Sequence, residues 1–75
     1  MNVVSQQISD GRKPVGPEAE VGSFRRFGPH GPVYEVIAVG RKRPDGDWEM
    51  RIRLPQSGEE IDYPLSDLRQ DPREA

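Results

Sequence analysis

"DWEMRIRL", residues 47 to 54, is the stretch on which the reading of the fold turns. Trp48, Met50, Ile52 and Leu54 alternate strictly with Glu49, Arg51 and Arg53. Successive side chains of an extended strand point to opposite faces, so a period of two over this length specifies a half-buried strand with an apolar face and a charged one. Upstream, Pro44-Asp45-Gly46 is a strong turn signal, so the chain before it should pair with this strand as a hairpin. The run before the turn is "PVYEVIAVG", Pro32 to Gly40, the most β-prone segment of the chain.

Two hairpin registers are open. With a three-residue turn, Arg43 faces Asp47, Arg41 faces Glu49, and Ala38 and Val36 face Ile52 and Leu54. With one more residue in the turn, Ile37 and Val39 take the core positions, because a one-residue slip exchanges the faces. In either register some aliphatics lie on the second face. A sharply coiled strand would bury both sets; otherwise the surplus marks a dimer or partner surface.

Further out, "PQSGEE" reads as a second turn with Gly58 at positive φ, and "EIDYPL" as a short strand on which Ile61 and Tyr63 share a face. Pro64 ends it. "PLSDLRQDP" then makes one helical turn, with Ser66 or Asp67 capping, Leu65 and Leu68 packed inward, and Asp71-Pro72 stopping it. On the N-terminal side "VGSFRRFG" suits a curled first strand whose two phenylalanines both reach the core, and "GPHGP", residues 28 to 32, must be a loop. No amphipathic helix is present, so the expected class is all-β: a small, strongly bent antiparallel barrel of four to five strands closed by a C-terminal helical turn, spanning residues 21 to 72. Residues 1 to 20 are polar and marked by proline and glycine, which is the composition of a flexible arm, and residues 73 to 75 form a tail.

Seventy-five residues with 32% apolar and 32% charged content support one small domain. The absence of cysteine removes disulfides, thiolate chemistry and cysteine-ligated zinc, and fits a reducing cytoplasm. "MNVVSQQISDGRKPV" has neither a secretory pattern nor a membrane-spanning run, so a soluble protein that does not enter the membrane is expected. The net charge of −2 hides an asymmetry: residues 24 to 53 carry seven basic and four acidic side chains, while residues 54 to 75 carry two and six.

The segments "VGSFRRFGPHGPVYEV", "DGDWEMRIRL" and "SGEEIDYPLSDLRQDP" together resemble a family of small bacterial proteins catalogued as a domain of unknown function, a likeness that covers residues 21 to 72 and implies no activity. The strand spacing and the closing turn also look like SH3-like barrels, including Tudor-type modules. Those modules hold methylated side chains in an aromatic cage, for which Trp48 and Tyr63 would be the walls. Trp48, however, lies in the core register, and Asp62-Tyr63-Pro64 stands where such modules carry an Asp-Tyr-Gly-Asn corner, so no cage residue is carried over.

The chemistry follows from what is missing as much as from what is present. His30 stands in a Gly/Pro loop without a cysteine or a serine partner, which leaves no nucleophile and base pair, so no catalytic residue, cofactor or metal is expected. Asp45 and Asp47 on one turn fall short of the oxygen set that a hard cation needs. Glu59, Glu60 and Asp62 read as an acidic strand edge that discourages aggregation.

The basic residues are the one patch that suggests binding. Arg51 and Arg53 project from the charged face of their strand and Arg41 and Arg43 from its hairpin partner, with Lys42 at the turn and Arg25 and Arg26 near by, a stripe that could follow a nucleic-acid backbone. Glu35, Glu49 and Asp47 fall among the same positions and should pair with these arginines, and Tyr34 is the one ring left for stacking. A cleft framed by the "GPHGP" loop with His30 and by the "RKRPDGD" turn would instead take a peptide or acidic segment. The expectation is therefore a cytoplasmic, non-enzymatic interaction or adaptor module, a monomer or weak homodimer, that binds a protein partner, with nucleic acid on the Arg41/Arg43/Arg51/Arg53 face as the alternative.

Overall fold

The computed structural model describes residues 16 to 74; residues 1 to 15 of the expected arm and Ala75 of the expected tail lie outside the described residues. A 3-10 helix, Pro17–Glu20, leads into strand β1, Phe24–Arg26, followed by β2, Val33–Lys42, β3, Trp48–Arg53, β4, Glu60–Pro64, and helix α1, Leu65–Gln70. The strands form one antiparallel sheet in the order β1-β2-β3-β4, each paired with its neighbour in sequence. The two outer strands do not pair with each other, so the sheet is not closed in the way a complete barrel requires. After α1 the chain returns to the far side of the molecule, where Arg73 forms an isolated antiparallel bridge with Arg25.

The alternating stretch behaves as its period dictates. Met50 and Ile52 are fully buried, Trp48 and Leu54 pack against the core from its margins, and the charged residues between them face outward. Tyr34, Val36, Leu65 and Leu68 complete the core, so α1 covers one face of the sheet with both of its leucines. Ile61 and Tyr63 also pack against it. Gly58 adopts φ 76° in the β3–β4 turn, where its N–H and that of Ser57 both donate to the Leu54 carbonyl.

The hairpin begins in the three-residue-turn register, with the Arg43 N–H donating to the Asp47 carbonyl at 2.8 Å. It does not keep that register. Lys42 opposes Trp48, but after one irregularity Val39 opposes Met50, and after a second Val36 opposes Ile52. Each slip exchanges the faces of β2, so a strand with aliphatics at both odd and even positions sends both Val36 and Val39 to the core. Gly40 lies within the irregularity between Val39 and Lys42, and a Cβ built there would strike the Glu49 carbonyl oxygen. Neither continuous register anticipated this.

Two other expectations change. Pairing of Arg25 with Tyr34 turns Arg25 inward, and Phe24 is left 41% exposed while Phe27 alone reaches the core. Residues 17 to 20, which their composition assigns to the arm, form the 3-10 helix, and Glu20 is buried against Arg25 with an ion pair of 2.8 Å.

Candidate functional site

The arginines of the outer sheet face are all engaged. Arg53 meets Glu35 at 2.8 Å, Arg51 meets Asp62 at 3.4 Å, Arg41 meets Glu49 at 3.3 Å and Arg43 meets Asp45 at 2.8 Å. These pairs lie at least partly in solvent, where each is worth ~0–1 kcal/mol, so their consequence is less stability than neutralisation of the face. Asp47 is absent from this set; its carboxylate is used elsewhere. Lys42 holds its ammonium 5.9 Å from the centre of the Trp48 ring.

The remaining expected residues are drawn in different directions. Tyr34, expected as a free ring for stacking, is fully buried because register with Arg25 and Ile52's neighbour Val36 places it on the inner face. Arg25 is buried too, committed to Glu20 and to the Asp71 carbonyl at 2.8 Å. Arg26 binds both carboxylate oxygens of Glu74, at 3.2 and 3.0 Å, and the Gly31 carbonyl at 3.0 Å. His30 is exposed. The cleft expected between the "GPHGP" loop and the "RKRPDGD" turn is not formed, because in an antiparallel meander those connections sit at opposite ends of the ten-residue strand β2.

The loop instead converges on Asp71. One carboxylate oxygen of Asp71 accepts hydrogen bonds from the hydroxyls of Tyr34, at 2.7 Å, and Tyr63, at 2.8 Å, and the other accepts the Gly28 N–H at 3.3 Å. Phe27 packs against both tyrosine rings, with centroids 4.4 and 5.2 Å away. Burial and the bond to Asp71 raise both phenols: Tyr63 is pushed up to about 12, and Tyr34 higher still. Neither ring offers a phenolate near neutral pH, so the cluster is a structural lock.

A different cleft is present at the other end of the hairpin. It has a volume of about 340 Å³ and lies between Asp47 and Trp48 at the start of β3, Leu65, Ser66 and Arg69 of α1, and Pro17. Asp47 joins the two walls. Its carboxylate accepts the Ser66 hydroxyl at 2.6 Å, the Ser66 N–H at 3.2 Å and the Trp48 N–H at 2.8 Å. The Ser66 hydroxyl first, and then the two backbone donors, hold this carboxyl below its ordinary value. The helix therefore receives its cap from a remote turn, whereas neither Ser66 nor Asp67 caps it from within. Arg69 reaches Glu20 at 3.5 Å and the Gly16 carbonyl at 3.4 Å, which ties α1 to the segment before β1.

This arrangement can hold a short segment by packing on a half-buried indole beside fixed polar groups. None of the nine residues expected to bind a partner lines it. Trp48 is legible as a core residue from its register, and its position as the first residue of β3 is the signal that its ring is incompletely covered. Among the described residues no group of three or more His, Asp or Glu is placed to hold a metal ion. Among them no helix is long and apolar enough to cross a membrane.

Comparison with known proteins places the chain in a family without an assigned role. A family model described as "Family of unknown function (DUF5397)" matches residues 12–75. A protein of Haemophilus influenzae, itself described as uncharacterized, is 45% identical over 51 residues, which cover 68% of this chain and 81% of that protein.

Proposed function

Since the chain belongs to this family of unknown function, its role has to be read from its own surfaces, and we propose that it is a non-enzymatic interaction module that binds a protein segment in the cleft at Trp48. The observation that carries this reading is the partly exposed Trp48 among the residues that line an open cleft whose polar groups are fixed by the Asp47 bonds. Rigid aromatic anchors in such surroundings supply most of the affinity of small interfaces. We assign the fold to the SH3-like barrels, a reading supported by the order of the strands, the helical turn after β4 and the return of Arg73 to β1. The lack of cysteine and the polar surface fit work in the cytoplasm.

Nucleic-acid binding on the Arg41/Arg43/Arg51/Arg53 face is the weaker reading, because every one of those guanidiniums already faces a carboxylate. The two readings separate in one experiment. Peptides selected from a random displayed library are titrated into the labelled protein, with oligonucleotides in parallel at low and moderate salt. Peptide-induced amide shifts at residues 46 to 48 and 65 to 69, with a change in the emission of the single tryptophan, support the cleft. Shifts at Arg41, Arg43, Arg51 and Arg53 with oligonucleotides, fading as salt rises, would replace it with the nucleic-acid reading.

A further inference from the structure

Strand β1 has one edge on β2, and its other edge is covered by residues 72 to 74. There the Arg26 N–H donates to the Pro72 carbonyl at 3.0 Å, the Glu74 N–H donates to the Phe24 carbonyl at 2.9 Å, and Arg25 stands opposite Arg73. Pro72, Arg73 and Glu74 are exposed, and none of them contributes to the core. Among the described residues, what holds the segment is two backbone hydrogen bonds, the Arg26–Glu74 pair and a long 3.8 Å contact from Arg73 to Glu20. Immediately upstream the situation reverses, since Asp71 is fastened by Tyr34, Tyr63 and Gly28. Local opening is easiest where few apolar contacts must be broken, so residues 72 to 74 open without the rest of the fold, with Asp71 as the fixed point.

An opened β1 presents unpaired backbone groups, which are a template for an added strand. We infer that the outer edge of β1 is a strand-docking site that the chain closes with its own residues 72 to 74, and that the partner it takes is an extended peptide carrying a carboxylate opposite Arg26. The chemistry of that partner is set by the segment now in place. The Arg26 N–H needs a carbonyl, the Phe24 carbonyl needs an N–H, and the Arg26 guanidinium, held by the Gly31 carbonyl, needs a carboxylate where Glu74 supplies one. Phe24, 41% exposed on the same strand, gives the incoming strand an apolar side chain to pack on. This surface is separate from the Trp48 cleft and stands without it.

The tethered segment competes at a high effective concentration, so a free peptide enters only when the clasp is weakened. The test uses the full chain and its Glu74→Arg variant, with the synthetic hexapeptide Gln-Asp-Pro-Arg-Glu-Ala, residues 70 to 75, and a scrambled control. In the unmodified chain the Arg26 and Glu74 amides should exchange with solvent at least about tenfold faster than the β3 amides. The peptide should shift the Phe24 to Arg26 amides of the variant at about tenfold lower concentration than in the unmodified chain. A folded variant that ignores the peptide, or binds it no better than the unmodified or scrambled pairing does, overturns the inference. If Glu74→Arg fails to fold, the exchange experiment decides alone: Arg26 and Glu74 amides that open only with global unfolding overturn it as well.

Discussion

The hydroxyl of Tyr34 lies 2.7 Å from the carboxylate of Asp71, which binds a fully buried side chain of β2 to the residue at which α1 ends. Tyr63 donates to the same oxygen, so strand, strand and helix end meet at one atom. Replacing Asp71 by Ala leaves two hydroxyls without their acceptor, a loss of about 1–3 kcal/mol. Asp71→Asn, which keeps one carbonyl oxygen, should lose less. Urea unfolding midpoints read this order, and a cycle with Tyr34→Phe and Tyr63→Phe should be non-additive because the three groups share a contact.

Alkaline stability should report the same lock. The folded phenols lie above the ordinary value of about 10, with Tyr63 near 12 and Tyr34 beyond it. A group whose pKa is raised on folding contributes stability in full below its unfolded pKa and loses it as pH rises through the folded one. Thermal midpoints should therefore hold up to about pH 10 and fall steeply above it, and Tyr34→Phe should flatten that fall.

At the acid end the informative residue is Glu20. Burial raises its carboxyl, but the hydrogen bonds and charges of Arg25 and Arg69 outweigh burial and hold it below the usual 4.5. Its contribution is thus complete above the unfolded pKa and is lost as pH falls through the lower folded value. Glu20→Gln leaves Arg25 buried without its counter-charge, a loss of about 3 kcal/mol at neutral pH. The variant should also lose less than the unmodified chain when urea unfolding is repeated near pH 3.

Gly40→Ala tests the irregularity of β2 between Val39 and Lys42. The added methyl meets the Glu49 carbonyl oxygen, and backbone on both sides prevents either from yielding. A loss of about 1–3 kcal/mol is expected, the range of an overpacked site. Gly46→Ala, where a Cβ meets nothing but the backbone has φ 91°, should lose less than Gly40→Ala in the same melt. The reverse order would place the constraint in the turn.

Trp48→Ala should weaken the domain by about 3 kcal/mol, toward the lower end for an aromatic truncation, because the ring is only partly covered. Ile52→Val, in contrast, removes one methyl from a fully buried site and should cost about 1 kcal/mol. A Trp48→Ala protein that melts as the unmodified chain does would show that the indole contributes nothing to the core.

Much of this fold was legible because period, turn chemistry and composition agree for residues 44 to 70. β3, the positive-φ Gly58 and the inward Leu65 and Leu68 follow from local rules. What escaped was settled by long-range contacts. The slips of β2 depend on what Val36 and Val39 meet across the hairpin, and the burial of Tyr34 depends on an acceptor thirty-seven residues away. Asp47 read as a turn residue because its bond to Ser66 spans nineteen positions. The cleft was invisible for the same reason, since its walls come from segments that no local pattern links.

The junction at Asp71 also fixes chain length. Tyr63 and Asp71 are eight positions apart with all of α1 between them, and both must reach the same point. One residue added to a helix turns everything after it by ~100° about the axis, which would swing the carboxylate away from both phenols. Insertions and deletions should therefore be barred from residues 64 to 70 in related chains, while the turn at residues 55 to 58, exposed on every side, is free to change in length.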